Sequence, residues 1–351
     1  MHAVGSDRTI FHLSEGCFMS TAVTQKIAAV YKEYAARWFR GHSELYVRWA
    51  KGVANNPEIL GLLASLPMAK QQPNLLFAAT RFLGSSDIEF DEAAAFIVKR
   101  WPEIRTVMLS HSTQTNEAGR CATLLPVFSM IAQQKQRPLA LIEVGPSAGL
   151  CLLPDLYSYS YDGASPIGSG SPLLECTTSG NPPLPASIPE IVWRAGVDLN
   201  PLDGTDPDTI KWLRVLVWPG ETKRLRQLDS ALETLKALKN KEIHSVAGIP
   251  QVVSGDLNER ISGLVAQVPA GAVPVVFHSA VMAYLDPSAR QRFVSTVSVL
   301  DCQWVSNENF FMDPHGDSQQ PSAPGFFTLA LNGVPLAHTG QHGAELRWIK
   351  T

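Results

Sequence analysis

From residue 23 to about residue 134, apolar positions recur every three or four residues, the period of helices that bury one face. Ile27, Val30, Tyr31, Tyr34 and Trp38 share a side of the first. Further helices are predicted near residues 44–53, 57–64, 74–83 and 92–100, with Gly41, Pro67, Pro73 and Gly84 as punctuation. The stretch ends in Thr113-Gln114-Thr115-Asn116-Glu117-Ala118-Gly119-Arg120 and an apolar helix over 121–132.

From residue 139 the pattern changes to short apolar runs between helices. Residues 139–144 form such a run, broken only by Glu143; then come Gly145-Pro146-Ser147-Ala148-Gly149 and a helical segment over 148–156. Tyr157, Tyr159 and Tyr161 alternate with polar residues, and a second short run covers 172–178. Two alternating runs around a Gly-rich loop predict a β-hairpin inserted at about 157–189. Strands follow over 191–198, 251–256, 272–279 and 303–309, with helices over 209–217, 221–239 and 287–300. Residues 326–331, a turn at Asn332-Gly333 and a last strand over 345–349 close the chain. Lys and Arg on the 221–239 helix are read as its solvated side.

Alternating strands and helices mean an α/β fold, a Rossmann-like, mostly parallel sheet with an antiparallel C-terminal hairpin. The expected divisions are a tail over 1–22 that is a candidate for disorder, a helical cap over 23–136 and the sheet domain over 137–351. Met19 is a candidate natural start.

The 351 residues, 45% hydrophobic and 17% charged, suit a chain with sizeable cores. A net charge of −3 without basic runs offers no footprint for nucleic acid or for an anionic membrane surface. Five scattered cysteines without a C-x-x-C pair suggest neither a disulfide framework nor a zinc site. With no signal peptide and no membrane-length apolar run, the expectation is a cytoplasmic protein.

The small-residue turn after residues 139–144 carries the candidate chemistry. A buried strand, a tight turn and a helix start bring backbone N–H groups against a ligand. Glu143, Gly145, Pro146, Ser147, Ala148 and Gly149 would then floor a nucleoside cofactor. The same residues match a G-x-S-x-G nucleophile elbow with Ser147 attacking an acyl carbon, or a plain helix cap. A hydrolase would also need an acid and a histidine, for which Asp256 with His315, His338 or His342 can be nominated. Its elbow would normally follow several strands, whereas here the turn ends the first.

Strand order favours the cofactor. Successive strands end in Glu143, Asp198, Asp256 and His278-Ser279, and ligands of open α/β sheets lie beyond the carboxyl ends of strands. Asp198, with Asp162 as fallback, would take the ribose hydroxyls and Asp256 the adenine amino edge, with Leu199, Leu257 and Ser279 beside them. Asn116, Glu117 and Arg120 would read a polar substrate; alternatively they are a cap and a surface ion pair.

This pattern resembles the class I S-adenosylmethionine-dependent methyltransferases. E-V-G-P-S-A-G is similar to their glycine motif, with Ser147 in the middle place, G-V-D-L-N-P to their ribose segment and S-G-D-L to their adenine segment. From about residue 25 the chain also resembles the bacterial domain-of-unknown-function 2332 family. That likeness rests on Q-P-N-L-L, T-Q-T-N-E-A-G-R, E-V-G-P-S-A-G-L, G-V-D-L-N-P-L-D, W-L-R-V-L-V-W-P, V-F-H-S-A-V and W-V-S-N-E. The resemblance implies S-adenosylmethionine as cofactor and methyl transfer, without metal, to a small molecule held between the two domains. His278 would be the general base, with Tyr284 and Glu308 orienting the acceptor. A cofactor-binding protein without catalysis and a serine hydrolase using Ser147 are the alternatives.

Overall fold

A computed structural model describes the backbone of residues 12–85, 88–114, 116–309 and 325–349, and their side chains from residue 21 onward. The chain divides into two compact units. One comprises residues up to 114 with 211–222, the other 115–210 with 223–351.

The first unit is helical: α1 (His12–Glu33), α2 (Glu44–Ala54), α3 (Pro57–Ala64), α4 (Pro73–Phe82), α5 (Phe90–Lys99) and α6 (Trp101–Ser110). α1 starts at His12, ahead of the periodicity that begins at residue 23, and residues 1–11 of the expected tail lie outside the described residues. Asn56 caps α3 by accepting from Ile59 N–H at 3.0 Å, and Pro57 and Pro73 occupy first turns, where a missing N–H costs nothing. Tyr31, Phe39, Tyr46, Trp49 and Phe77 form the centre of the core. Residues 211–222 return to this unit. Trp212 Nε1 donates to Ser112 O at 3.1 Å, and Arg81 Nη1 donates to Val215 O and Val217 O at 3.0 and 2.8 Å.

The second unit opens with α7 (Cys121–Lys135), which periodicity alone places in the helical domain. It belongs with the sheet because Cys121 to Ser129 are all buried and Phe128 packs edge-on against Phe277, 5.3 Å between centroids. The remaining elements are β1 (Leu139–Val144), β2 (Ser158–Tyr161), β3 (Leu173–Ser179), β4 (Ile191–Asp198), α8 (Pro207–Leu216, whose last six residues fall in the first unit), α9 (Thr222–Lys239), β5 (Gln251–Ser254), α10 (Leu257–Val265), β6 (Val273–Ser279), α11 (Pro287–Val297), β7 (Gln303–Glu308), β8 (Phe326–Leu331), β9 (Val334–Gly340) and β10 (Glu345–Trp348).

All ten strands form one mixed, mostly parallel sheet in the order β2-β3-β10-β9-β8-β7-β6-β1-β4-β5. β5, β4, β1, β6 and β7 are mutually parallel, and β8, β9 and β10 follow as an antiparallel meander. After β2 and β3 at the far edge, the chain adds β4 and β5 on one side of β1 and then β6 and β7 on the other. Such a reversal of winding opens a crevice at the strands' carboxyl ends.

Three expectations change here. The two runs within residues 157–189 do not pair as a hairpin: β2 and β3 run parallel, β3 joins β10, and the antiparallel contact in the segment is a single bridge between Tyr159 and Ile167. The hydroxyls of Tyr157, Tyr159 and Tyr161 donate to Leu150 O, Pro154 O and Ala122 O, which anchors the segment against β1's exit and α7. Residues 148–156 form two 3-10 turns, Leu150–Leu152 and Pro154–Leu156, instead of a helix. Pro154 explains the break, since it lacks an N–H and disfavours helical backbone at the residue before it. The Asn332-Gly333 turn leads into β9, a strand that the sequence pattern does not predict.

Side-chain parity decides what each face carries. Ile142, Val144, Val276, Phe293 and Trp304 form a core with α10 and α11. In a strand, Glu143 must then face the other way; its register partner Phe277 packs on α7.

Candidate functional site

At the end of β1 the backbone enters the left-handed region at alternate residues: Gly145 (φ 69°), Ser147 (φ 53°) and Gly149 (φ 77°). Glycine accepts this freely, whereas a serine there needs support from its surroundings. Two side chains provide it. Asp198, at the tip of β4, accepts from Ser147 N–H on Oδ2 and from Asn200 N–H on Oδ1, both at 2.8 Å. Asn116 accepts from Ala148 N–H on Oδ1 at 3.0 Å, while its Nδ2 donates to Ser147 Oγ. Asn116 is therefore bonded to the turn itself. Asp162 lies apart from this turn: it follows edge strand β2 and accepts from Thr178 N–H at 2.7 Å.

Glu143 lies on the α7 face, only 6% exposed, and its Oε2 has no hydrogen-bond partner among the described residues. Burial pushes its carboxyl well above the usual carboxylate range, against the pull of Arg120. Ser279 ends β6 on the same face. Its Oγ accepts from Asn307 Nδ2 at 3.0 Å, and Thr339 Oγ donates to Asn307 Oδ1 at 2.7 Å. Nothing in the sequence pattern singles out Asn307 and Thr339, although Asn307 shares Ser279's register position across β6 and β7.

Glu117 and Arg120 are both buried but do not pair with each other, because Ala118–Arg120 is a 3-10 turn. Glu117 Oε2 accepts from Arg224 Nε at 2.9 Å and lies 3.1 Å from His342 Nδ1. Arg224 is thus a half-buried partner of Glu117 and not, as its helix pattern suggests, part of a solvated face. Burial acts to raise the Glu117 carboxyl, but Arg224, His342 and Arg120 together bring it down to about 2. Gly119 is required by close approach, since a Cβ there would strike the backbone oxygen of His342.

A depressed folded-state pKa means stability that is full above the unfolded value and is lost as pH falls through the folded one. Glu117→Gln should therefore lower stability by about 3 kcal/mol at pH 7, a difference that narrows as pH drops from about 4.5 toward 2. Urea midpoints of both proteins across that range check it; a pH-independent difference would refute the assignment.

His278 and Glu308 occupy the opposite face. His278 Nδ1 lies 2.7 Å from Glu308 Oε1, and Trp304 Nε1 donates to His278 Nε2 at 3.0 Å. An indole only donates, so Nε2 is an acceptor and Nδ1 carries the proton. Both ring nitrogens are engaged, and His278 has none left for an acceptor's proton. Glu308 Oε1 also accepts from Val281 N–H at 3.0 Å, which fixes the loop after β6. One residue along a strand turns a side chain to the other face, so His278 lies on the face opposite Phe277 and Ser279. Tyr284, at 72% exposure, sits in the 3-10 turn after that loop.

Asp256 caps α10, accepting from Asn258 N–H at 2.7 Å, and Leu257 enters the α10–α11 core. The first N–H groups of a helix need an acceptor, and Asp256 provides it. Leu199 is 72% exposed beside Asp198. Ser147 makes no hydrogen bond to a histidine among the described residues: His342 stands by Glu117, His338 lies in β9, and His315 is outside them. Among the described residues no group of three or more His, Cys, Asp and Glu is placed to hold a metal ion, and no helix is long and apolar enough to cross a membrane.

No curated protein matches the chain. Residues 28–348 match the model of a bacterial family described as an uncharacterized protein conserved in bacteria (DUF2332), and the chain belongs to that family.

Proposed function

We propose that the protein binds S-adenosylmethionine at the carboxyl ends of β1 and β4 and transfers its methyl group to a small molecule. The observation that carries this is Asp198, whose carboxylate sits 2.8 Å from Ser147 N–H on the left-handed turn that ends β1. The five strands β5, β4, β1, β6 and β7, numbered in chain order among themselves, run 3-2-1-4-5, as in nucleotide-binding doubly wound sheets. Each oxygen of Asp198 holds one backbone N–H, and a carboxylate at a strand tip is the group that accepts ribose hydroxyls in such sheets. Leu199 offers exposed apolar surface for a purine beside it, and the orphaned Oε2 of Glu143 suits a cationic group. When bound, the sulfonium supplies an activated methyl, so positioning the acceptor in line and excluding water is the protein's main task.

Engagement of both His278 nitrogens favours a second reading, a cofactor-binding protein without methyl transfer. Isothermal titration with S-adenosylmethionine and S-adenosylhomocysteine tests what the two share, with a Kd of about 1–100 µM expected. Heat-free titrations with both would overturn both. Conversion of S-adenosylmethionine to S-adenosylhomocysteine in the presence of acceptor mixtures distinguishes the enzyme from the binder.

A further inference from the structure

Two arginines of the second unit turn inward to a single carboxylate. Glu117 Oε2 accepts from Arg224 Nε at 2.9 Å, and the charge of Arg120 acts on the same group. Arg120 is 7% exposed and the Arg224 side chain 11%. Burial pushes the fourth member, His342, toward its neutral form. Two guanidinium charges against one carboxylate leave the group with one positive charge in excess. Arg120 acts also on Glu143, but burial pushes that carboxyl toward its neutral form. An excess charge withdrawn from water is costly unless a counter-ion joins it.

The donors are not used up. Arg120 Nε donates to Gln341 O and Nη1 to Ser279 O, both at 3.0 Å. Among the described residues Arg120 Nη2 and both terminal nitrogens of Arg224 have no hydrogen-bond partner. The bond to Ser279 O sets the group at the carboxyl end of β6, beside β1, where the crevice opens. Position along the chain points the same way. Arg224 stands in the first turn of α9 and Arg120 directly precedes α7, and neither helix has an acid in its first turn. A helix start carries positive partial charge, so a cation there opposes stability. Lys223 is answered on the surface by Glu175 at 2.9 Å, whereas Arg224 faces inward. Guanidinium forks at two helix starts suit an oxyanion.

We propose that Arg120 and Arg224 hold a carboxylate or phosphate of the methyl acceptor, so that the acceptor is an organic anion. Naming the bound anion as the acceptor rests on the function proposed above; the oxyanion site itself does not.

Thermal unfolding of the full chain in sodium succinate or sodium phosphate, against sodium chloride at equal ionic strength, tests it. Two charge-assisted hydrogen bonds correspond to a Kd of about 1 mM. The fitting anion at about 20 mM should then raise Tm by about 2 °C, and the rise should saturate. Arg224→Gln should remove the rise, and Glu117→Gln should tighten the Kd by about 10-fold, because it deletes the competing charge. No rise in wild type, or one that grows with concentration without saturating, as exclusion from the surface does, would overturn the site whether or not the variants fold. The rise should persist at saturating S-adenosylhomocysteine. If that ligand abolishes it, the arginines serve the cofactor and the acceptor assignment falls. If S-adenosylhomocysteine does not bind while the anion does, the oxyanion site stands and the cofactor reading fails.

Discussion

Asp155→Ala should lower the unfolding free energy by about 3–5 kcal/mol, a larger loss than that expected of Glu117→Gln. Arg194, in the middle of β4, is fully buried. It donates to Leu152 O at 2.6 Å and to Asp155 Oδ2 at 2.7 Å, while Ser245 Oγ bonds to both Arg194 and Asp155. Removing Asp155 leaves a guanidinium in the interior with no counter-ion. Arg194→Met should cost less, about 1–2 kcal/mol, because it removes the charge while keeping much of the volume, and Asp155, at 17% exposure, still reaches water. Urea denaturation at pH 7 measures both. Equal losses, or a larger one for Arg194→Met, would show that the guanidinium is not what makes the pair matter. The network also ties the segment after the glycine turn to β4 through Leu152, so its failure should loosen the site as well as the fold.

Period and parity show how far the chain can be read from sequence. Threefold and fourfold spacing places the helices of the first unit because their apolar faces all meet one core. It misplaces α7, since periodicity reports that a face is buried and not what buries it. The runs ending in Glu143, Asp198, Asp256 and Ser279 are legible as strands, and Asp198 reaches the turn despite the long intervening segment. That segment escapes because β2 and β3 find their partners at the far edge of the sheet, beside β10, and long-range pairing leaves no local trace. His278 reads in sequence as a candidate base, yet both its ring nitrogens are engaged. Alternation along β6 puts Phe277 and Ser279 on one face and His278 on the other, a parity visible in the sequence. What covers each face is set in three dimensions, as where Phe128 of α7 packs on Phe277. Asn116 stands out in the sequence for its polarity near the turn, but its amide bonds to Ser147 and Ala148 where a ligand contact is expected.

Asp198→Ala should weaken S-adenosylhomocysteine binding by about 100- to 1,000-fold, the largest effect expected on the proposed function. Two losses combine. A ribose diol bonded to a carboxylate contributes about 1.5–3 kcal/mol per charge-assisted hydrogen bond, and the same carboxylate holds Ser147 N–H, so its removal frees a residue at φ 53° to relax. Ser147→Gly separates the two. It removes the left-handed strain, about 1 kcal/mol, and gives up the hydroxyl's bond from Asn116, so its net effect on stability and affinity should be small. Asp198→Asn should fall between them, because its amide keeps one acceptor but sets an N–H against another N–H. Isothermal titration of the three variants, with circular dichroism to confirm folding, gives the ranking Ser147→Gly, Asp198→Asn, Asp198→Ala in order of rising Kd. If Asp198→Ala keeps the wild-type Kd in a folded protein, the tip of β4 does not hold the ribose. The conjunction of β1's turn with Asp198 would then be a device for bracing the backbone alone.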